Sequence, residues 1–243
     1  MTGLVSISFR KHTPEEIVAH AVSAGLSAIE WGGDVHVPHG DVAVARRVRA
    51  LSEDAGLCMP EYGSYYKIGV SDRALFLDVL RSADALGVSK IRIWGGDRAS
   101  DGYSTEAYRA AVDEARTLVR EARGYSLVLE CHPNSLTDEY HTAERFLTDV
   151  GEDGLRMLWQ PNQYRPLAYN LDAIRALLPY IEGVHTFSWE RELRYPLLHH
   201  RDAWREYTGL LGKDLPYMLE FMHDDKIESL CETADALRAI LGA

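Results

Sequence analysis

Cysteine is scarce in this sequence: Cys58, Cys131 and Cys231 are its three residues of that type, an odd number without metal-type spacing. That argues against a disulfide framework and leads us to expect reduced, mostly buried thiols in a reducing compartment. Long apolar runs are also missing. No stretch approaches the ~18 uninterrupted apolar residues of a membrane helix, and Met1 to Lys11 lacks the basic and apolar regions of a secretory signal. The cytoplasm is the expected location, with no membrane partner. Positive charge is short: 26 Lys and Arg face 37 Asp and Glu, for a net charge of −11. With no extended Lys/Arg block to compensate, a polyanion such as DNA would be repelled at long range, so nucleic acid is not expected as a partner. A small neutral substrate or a cation fits that balance. No Pro/Gly/Ser linker or low-complexity run interrupts the chain, so residues 1–243 are read as one domain.

What the chain has is a repeated unit. Helical text closes on a glycine and an apolar strand follows at once, at Ala24-Gly25-Leu26, Ala55-Gly56-Leu57, Leu86-Gly87-Val88 and Arg123-Gly124-Tyr125, with glycines 31, 31 and 37 residues apart. Glycine past a helix end takes the left-handed cap conformation without a Cβ penalty, so these are helix-to-strand turns. A second echo pairs Trp31-Gly32-Gly33-Asp34 with Trp94-Gly95-Gly96-Asp97, each directly after a strand. Strands are expected near 4–9, 27–31, 57–62, 90–94, 126–131, 155–160, 182–187 and 216–221, with helices between them. Thr13-Pro14-Glu15-Glu16 offers the first helix a capping hydroxyl, a proline and a capping-box glutamate. Ser71 and Asn170 are candidate caps for the third and sixth. Eight strand–helix pairs in 243 residues predict an α/β fold of the (β/α)₈ TIM-barrel type, which typically has ~250 residues. A doubly wound open sheet is disfavoured because no glycine-rich phosphate loop follows the first strand.

Barrel chemistry sits at the carboxyl ends of the strands. Four expected strands end in a polar residue: Ser126-Leu-Val-Leu-Glu130, Met157-Leu-Trp-Gln160, Gly183-Val-His185 and Tyr217-Met-Leu-Glu220. A carboxylate in a barrel mouth is costly to desolvate unless it is paired or binds a metal. Two glutamates, an imidazole and an amide oxygen on successive strands could hold one divalent ion. Hard oxygens with one imidazole suit Mn²⁺, with Mg²⁺, Co²⁺ or Zn²⁺ as alternatives. The competing reading is that each residue is satisfied separately, by Arg92 or by Glu30. His132 would line such a site two positions beyond Glu130, or bond a loop carbonyl. Glu30, Trp31 and Trp94 could wall a polyol substrate, although both tryptophans could simply cover the core. Tyr62, Tyr65 and Tyr66 follow the third strand, where they could bond substrate hydroxyls or close a loop. His36-Val-Pro-His39 has metal-like spacing but reads as a loop, and His199-His200 as the approach to a surface helix.

In Ala-Gly-Leu-Ser-Ala-Ile-Glu30, Val-Leu-Glu130-Cys-His132, Gly-Val-His185 and Met-Leu-Glu220-Phe, the chain resembles the sugar phosphate isomerase/epimerase family of xylose isomerase-like TIM barrels, over essentially its whole length. The resemblance implies that Glu130, Gln160, His185 and Glu220 occupy the metal-ligand positions. It also implies that the two glutamates act as acid and base, and that Arg191 matches a substrate-contacting arginine. Where many relatives have Asp-x-x-His, this chain reads Gln160-Pro161-Asn162-Gln163. The amide can still offer its carbonyl oxygen, but the ligand set then carries two negative charges rather than three.

The leading functional expectation is a metal-dependent isomerase or epimerase acting on a small, sugar-like polyhydroxy carbonyl compound through an enediolate, with Glu130 and Glu220 moving the proton. The alternative keeps the site and changes the outcome: a lyase or dehydratase eliminating a β-substituent from an inosose or 3-oxo-glycoside, with His132 protonating the leaving group. An endonuclease IV-like repair enzyme is disfavoured by the acidic balance and the missing Asp-x-x-His. A non-catalytic binding protein is disfavoured by the survival of both glutamates and His185. The sequence is compatible with a homo-oligomer without requiring one.

Overall fold

A computed structural model of the chain describes residues 1–242. Eight parallel strands close into a barrel, in chain order β1 (Thr2–Val5), β2 (Ala28–Gly32), β3 (Tyr62–Lys67), β4 (Lys90–Trp94), β5 (Ser126–Glu130), β6 (Leu155–Trp159), β7 (Ile181–Thr186) and, after a short hairpin of β8 (Trp189–Glu190) and β9 (Leu193–Arg194), β10 (Tyr217–Leu219). β10 pairs with β1 to close the ring, Thr2 opposite Tyr217. Around it run α1 (Pro14–Ser23), α2 (Val42–Asp54), α3 (Arg73–Leu86), α4 (Thr105–Glu121), α5 (Tyr140–Val150), α6 (Leu167–Leu177), α7 (Arg201–Leu211) and α8 (Leu230–Leu241). No helix among the described residues is long and apolar enough to cross a membrane.

Alternation along the strands divides the apolar residues into two cores. Outward residues such as Leu4, Ile29, Ile91, Ile93, Leu127, Leu129, Val184 and Leu219 pack with the helices. Val5, Ile7, Ala28 and Met218 form a second, smaller cluster. Gly3 keeps the neighbouring strands close there, because a Cβ at that position would come within 2.6 Å of the Ala28 carbonyl. The four helix-to-strand glycines all have the expected positive φ, from 65° at Gly25 to 96° at Gly124. The first helix carries its full capping box between Thr13 and Glu16.

Local chemistry moved several boundaries. β1 ends at Val5, and Ser6–Phe9 turns into a 3₁₀ segment. The hydroxyls of Ser6 and Ser8 explain this, since they accept the backbone N–H groups of Gly32 and Phe221 in place of a continued ladder. β3 begins at Tyr62 rather than Leu57. Pro60 has no N–H to give a ladder, and Cys58 makes only an isolated bridge to Ala28. Asp72, not Ser71, caps α3. Asn170 lies inside α6, where its side chain accepts from and donates to the Asn162 backbone. Of the three free thiols, Cys58 and Cys231 are exposed and Cys131 is half-buried, so the expectation of mostly buried cysteines does not hold. Burial still pushes the Cys131 thiol up to about 12.

Candidate active site

β5, β6, β7 and β10 are neighbours in the ring. Their ends bring Glu130, Gln160, His185 and Glu220 together, all four buried. Donor atoms of Glu130, His185 and Glu220 all lie within 4.8 Å of one another. Gln160 Nε2 donates to Glu130 Oε1 at 3.3 Å and to the Cys131 carbonyl at 2.7 Å. Both partners only accept, so the NH₂ must face them and Oε1 must face away. That oxygen is buried without a partner. The same reasoning fixes His185. Its Nε2 lies 2.7 Å from Glu30 Oε2, an acceptor, and therefore carries the hydrogen. Nδ1 is left buried without a hydrogen bond, 3.4 Å from Glu220 Oε2.

Beneath these groups lies a charge network. Arg92, fully buried on β4, pairs through Nε with Glu30 at 2.9 Å and through Nη1 with Glu130. Gly63 makes room for it: a Cβ there would stand 2.7 Å from both Arg92 Nη2 and Glu30 Oε1. Burial alone would raise the Glu30 carboxyl, but Arg92 and His185 outweigh it and hold the group far below the ordinary carboxylate range. Burial would likewise raise Glu220, and His185 reverses the direction. For His185, burial lowers and the two flanking carboxylates raise, with a pKa well above the usual imidazole value as the net result. Glu61 completes the network from the residue before β3. Burial, reinforced by the charge of Glu30, pushes its carboxyl well up, toward the neutral acid, and carboxylate oxygens of the two residues lie within 4.8 Å of each other. With Glu61 neutral, three carboxylates (Glu30, Glu130, Glu220) stand against one guanidinium and an imidazole.

A cavity of about 350 Å³ opens above this floor. Trp94 and His132 form one wall, with ring centroids 4.1 Å apart. Tyr65 belongs to it too, its hydroxyl held by Arg10 at 2.8 Å. Phe187 and Trp189 stand opposite, at 5.1 Å from each other. His132 Nδ1 lies 2.7 Å from the Pro133 carbonyl, which leaves Nε2 without the proton in the neutral ring.

Other expected site residues lie elsewhere. Glu30 does not wall the cavity; it is wholly buried below it, holding Arg92 and His185. Trp31 and Tyr62 are core residues, the indole donating to Ser52 Oγ at 3.1 Å and the phenol to the Val37 carbonyl at 2.6 Å. On β2 and β3 the inward positions are Glu30 and Gly63, so the adjacent aromatic points out toward the helices. Arg191 sits exposed at the β8–β9 hairpin tip with φ of 54°, and does not line the cavity. His36 is a core histidine bonded to Ser6 and the His12 carbonyl, and His199-His200 precede α7 as expected. Glu61 escaped the sequence reading, and Arg92 entered it only as a partner for others. A lone arginine within Lys-Ile-Arg-Ile-Trp was the available signal for the latter.

No family model matches the chain, and no curated protein matches it. Solved structures do. It aligns with a probable 3-DHS dehydratase involved in petrobactin synthesis from Bacillus anthracis at a TM-score of 0.82 and 20% identity, covering 98% of each chain. D-psicose 3-epimerase with D-tagatose, from Clostridium cellulolyticum H10, gives 0.75 and 15%, covering 99% of both. A xylose isomerase-like TIM barrel protein from Mycobacterium smegmatis in complex with magnesium gives 0.69 and 16%, over 96% of this chain and 91% of that one. Fold and strand order thus define a (β/α)₈ TIM barrel, similar in structure to proteins described as xylose isomerase-like. Its structural neighbours include proteins described as epimerases, a probable dehydratase and a putative xylose isomerase.

Proposed function

We propose that this protein is a metal-dependent isomerase or epimerase of a small polyhydroxy carbonyl compound. The observation that carries the reading is a pair of buried polar atoms without hydrogen-bond partners, Gln160 Oε1 and His185 Nδ1, beside the carboxylates of Glu130 and Glu220. Such burial is costly; a divalent cation would satisfy the Gln160 oxygen and, by displacing the extra proton of the imidazole, would take the Nδ1 lone pair of His185. Once that proton has left His185, and with the Glu61 carboxyl pushed toward its neutral form, three carboxylates and one guanidinium leave two negative charges, the charge that one such ion would balance. The donor set is Glu130, Gln160, His185 and Glu220, with Glu30 orienting the imidazole as carboxylates commonly do for metal-bound histidines. Oxygen donors with one imidazole favour Mn²⁺, and Mg²⁺ is supported by the magnesium-bound neighbour. When bound, the ion supplies Lewis-acid polarisation of the substrate carbonyl.

The chain's own groups do the rest. Trp94 and Trp189 line the cavity as apolar walls for the C–H side of a polyol, and their indole N–H groups, both buried without partners, are donors for its oxygens. Glu130 and Glu220 remove and return the proton at the carbon next to the carbonyl. Arg92 holds Glu130 in place from below. A second reading is elimination, favoured by His132 in the cavity wall: its Nε2, once protonated, can supply a proton to a departing β-substituent. The dehydratase neighbour is in line with it.

Protein loaded with Mn²⁺ should be incubated in D₂O with ketoses, inososes and 3-oxo-glycosides. Deuterium in recovered or rearranged sugar is the expected result; an unsaturated product would favour elimination. Glu130→Gln and Glu220→Gln should each lose ~10²–10⁴-fold in rate while staying folded. Full activity in both variants would overturn the reading.

A further inference from the structure

A second cavity, of about 310 Å³, lies behind one wall of the first. Gln163, Phe187 and Trp189 line both. Its far side is closed by Trp204 and Tyr207 of α7, two side chains almost wholly buried. Each cavity is near the low end of the ~300–1,000 Å³ typical of small-molecule sites, room for about one sugar-sized ring.

The chemistry of the second cavity differs from that of the first. Its charged groups already have partners: Arg165 is paired with Glu139, and His200 Nε2 lies 3.0 Å from Glu190 Oε1. Asn170 spends its amide on the Asn162 backbone. An incoming charged group would therefore displace an existing pair, whereas a neutral ring would not. The aromatic surfaces suit the C–H face of such a ring, and the polar rim suits its hydroxyls. Trp189, in the shared wall, has its indole N–H buried without an acceptor, and an oxygen bridging two rings would supply one.

We propose that the two cavities are subsites of one elongated site, and that the second takes a neutral sugar ring joined to the reacting one. The substrate class is then a glycoside of about two rings rather than a free monosaccharide. This rests on the function proposed above only in placing the reacting ring in the first cavity.

The test uses the full chain loaded with Mn²⁺. Binding of fructose is compared by calorimetry with binding of glucosyl-fructose disaccharides of several linkages, and deuterium exchange into fructose is followed in parallel. At least one disaccharide should bind about ten-fold more tightly than fructose. Ala203→Phe on α7, which fills the second cavity, should abolish that advantage and leave fructose binding unchanged. Leu167→Trp, at the start of α6, fills the cavity from another side should the first variant fold poorly. Equal binding of fructose and every disaccharide, or an advantage that survives both variants, would overturn the proposal. Loss of exchange into fructose would instead count against the reading of the first cavity, so the two failures are separable.

Discussion

Trp31-Gly32-Gly33-Asp34 and Trp94-Gly95-Gly96-Asp97 share four residues and end two strands of the same barrel, yet the tryptophans have opposite surroundings. Trp31 is fully buried against α2, its N–H satisfied by Ser52. Trp94 lines the cavity, packed at a tilt against His132, with its N–H unpaired. The difference is one of phase. On β2 the inward residue, Glu30, immediately precedes the tryptophan; on β4 the inward residue, Arg92, precedes it by two. Because successive side chains point to opposite faces, a shift of one position exchanges core for site.

The largest test of this contrast is the pair Trp31→Ala and Trp94→Ala. The first should cost ~3–5 kcal/mol of stability, as deletion of a buried indole does, with any folded protein still binding sugar normally. The second should move stability by less than ~1 kcal/mol and weaken sugar binding about ten-fold. Urea denaturation and calorimetry read the two quantities separately, and equal stability losses would erase the distinction. A middle-sized effect is expected where β3 separates the two strands. Gly63→Ala should cost ~1–3 kcal/mol by overpacking the Arg92–Glu30 pair. It should also weaken Mn²⁺ retention in a chelator competition, because Glu30 and Arg92 hold His185 and Glu130; unchanged stability and retention would show the pair to be loosely held.

The smallest effect belongs to Glu61, beside Glu30 on the inner face of that contrast. A carboxyl whose folded pKa is raised contributes fully below its unfolded value, here the ordinary 4.5, and loses that contribution as pH rises toward the folded value. Glu61→Gln cannot ionise and is spared this loss. Its melting temperature relative to the parent should therefore rise between pH 5 and pH 8, by a few degrees at most. A difference that stays flat would mean Glu61 is ionised in the folded protein.

These residues also mark what could be read from the chain alone. Glycine punctuation carried the barrel, and four polar residues closing apolar runs carried Glu130, Gln160, His185 and Glu220. Strand phase was harder to read. Trp31 and Tyr62 were candidates for the cavity because nothing local says which way an aromatic next to an inward residue will face. Glu61 was passed over, since a glutamate near the end of the expected strand 57–62 shows nothing special until its neighbour on the adjacent strand, Glu30, is known. Arg191 was misplaced because the hairpin that carries it is an insertion between β7 and α7, and its geometry depends on contacts with a distant loop.

That hairpin is fastened to the loop after β6, where the Arg191 N–H donates to the Gln163 carbonyl at 3.1 Å and Tyr164 to Glu192 at 2.6 Å. The side of the wall around Trp189 is thus built from pieces that the closed sheet does not need, while the charged floor stands in the strands or immediately at their ends. Selection, natural or in the laboratory, can recut such a wall residue by residue without disturbing the groups below. In a lineage of such barrels the molecule accepted would be free to drift while the charged groups of the floor are inherited.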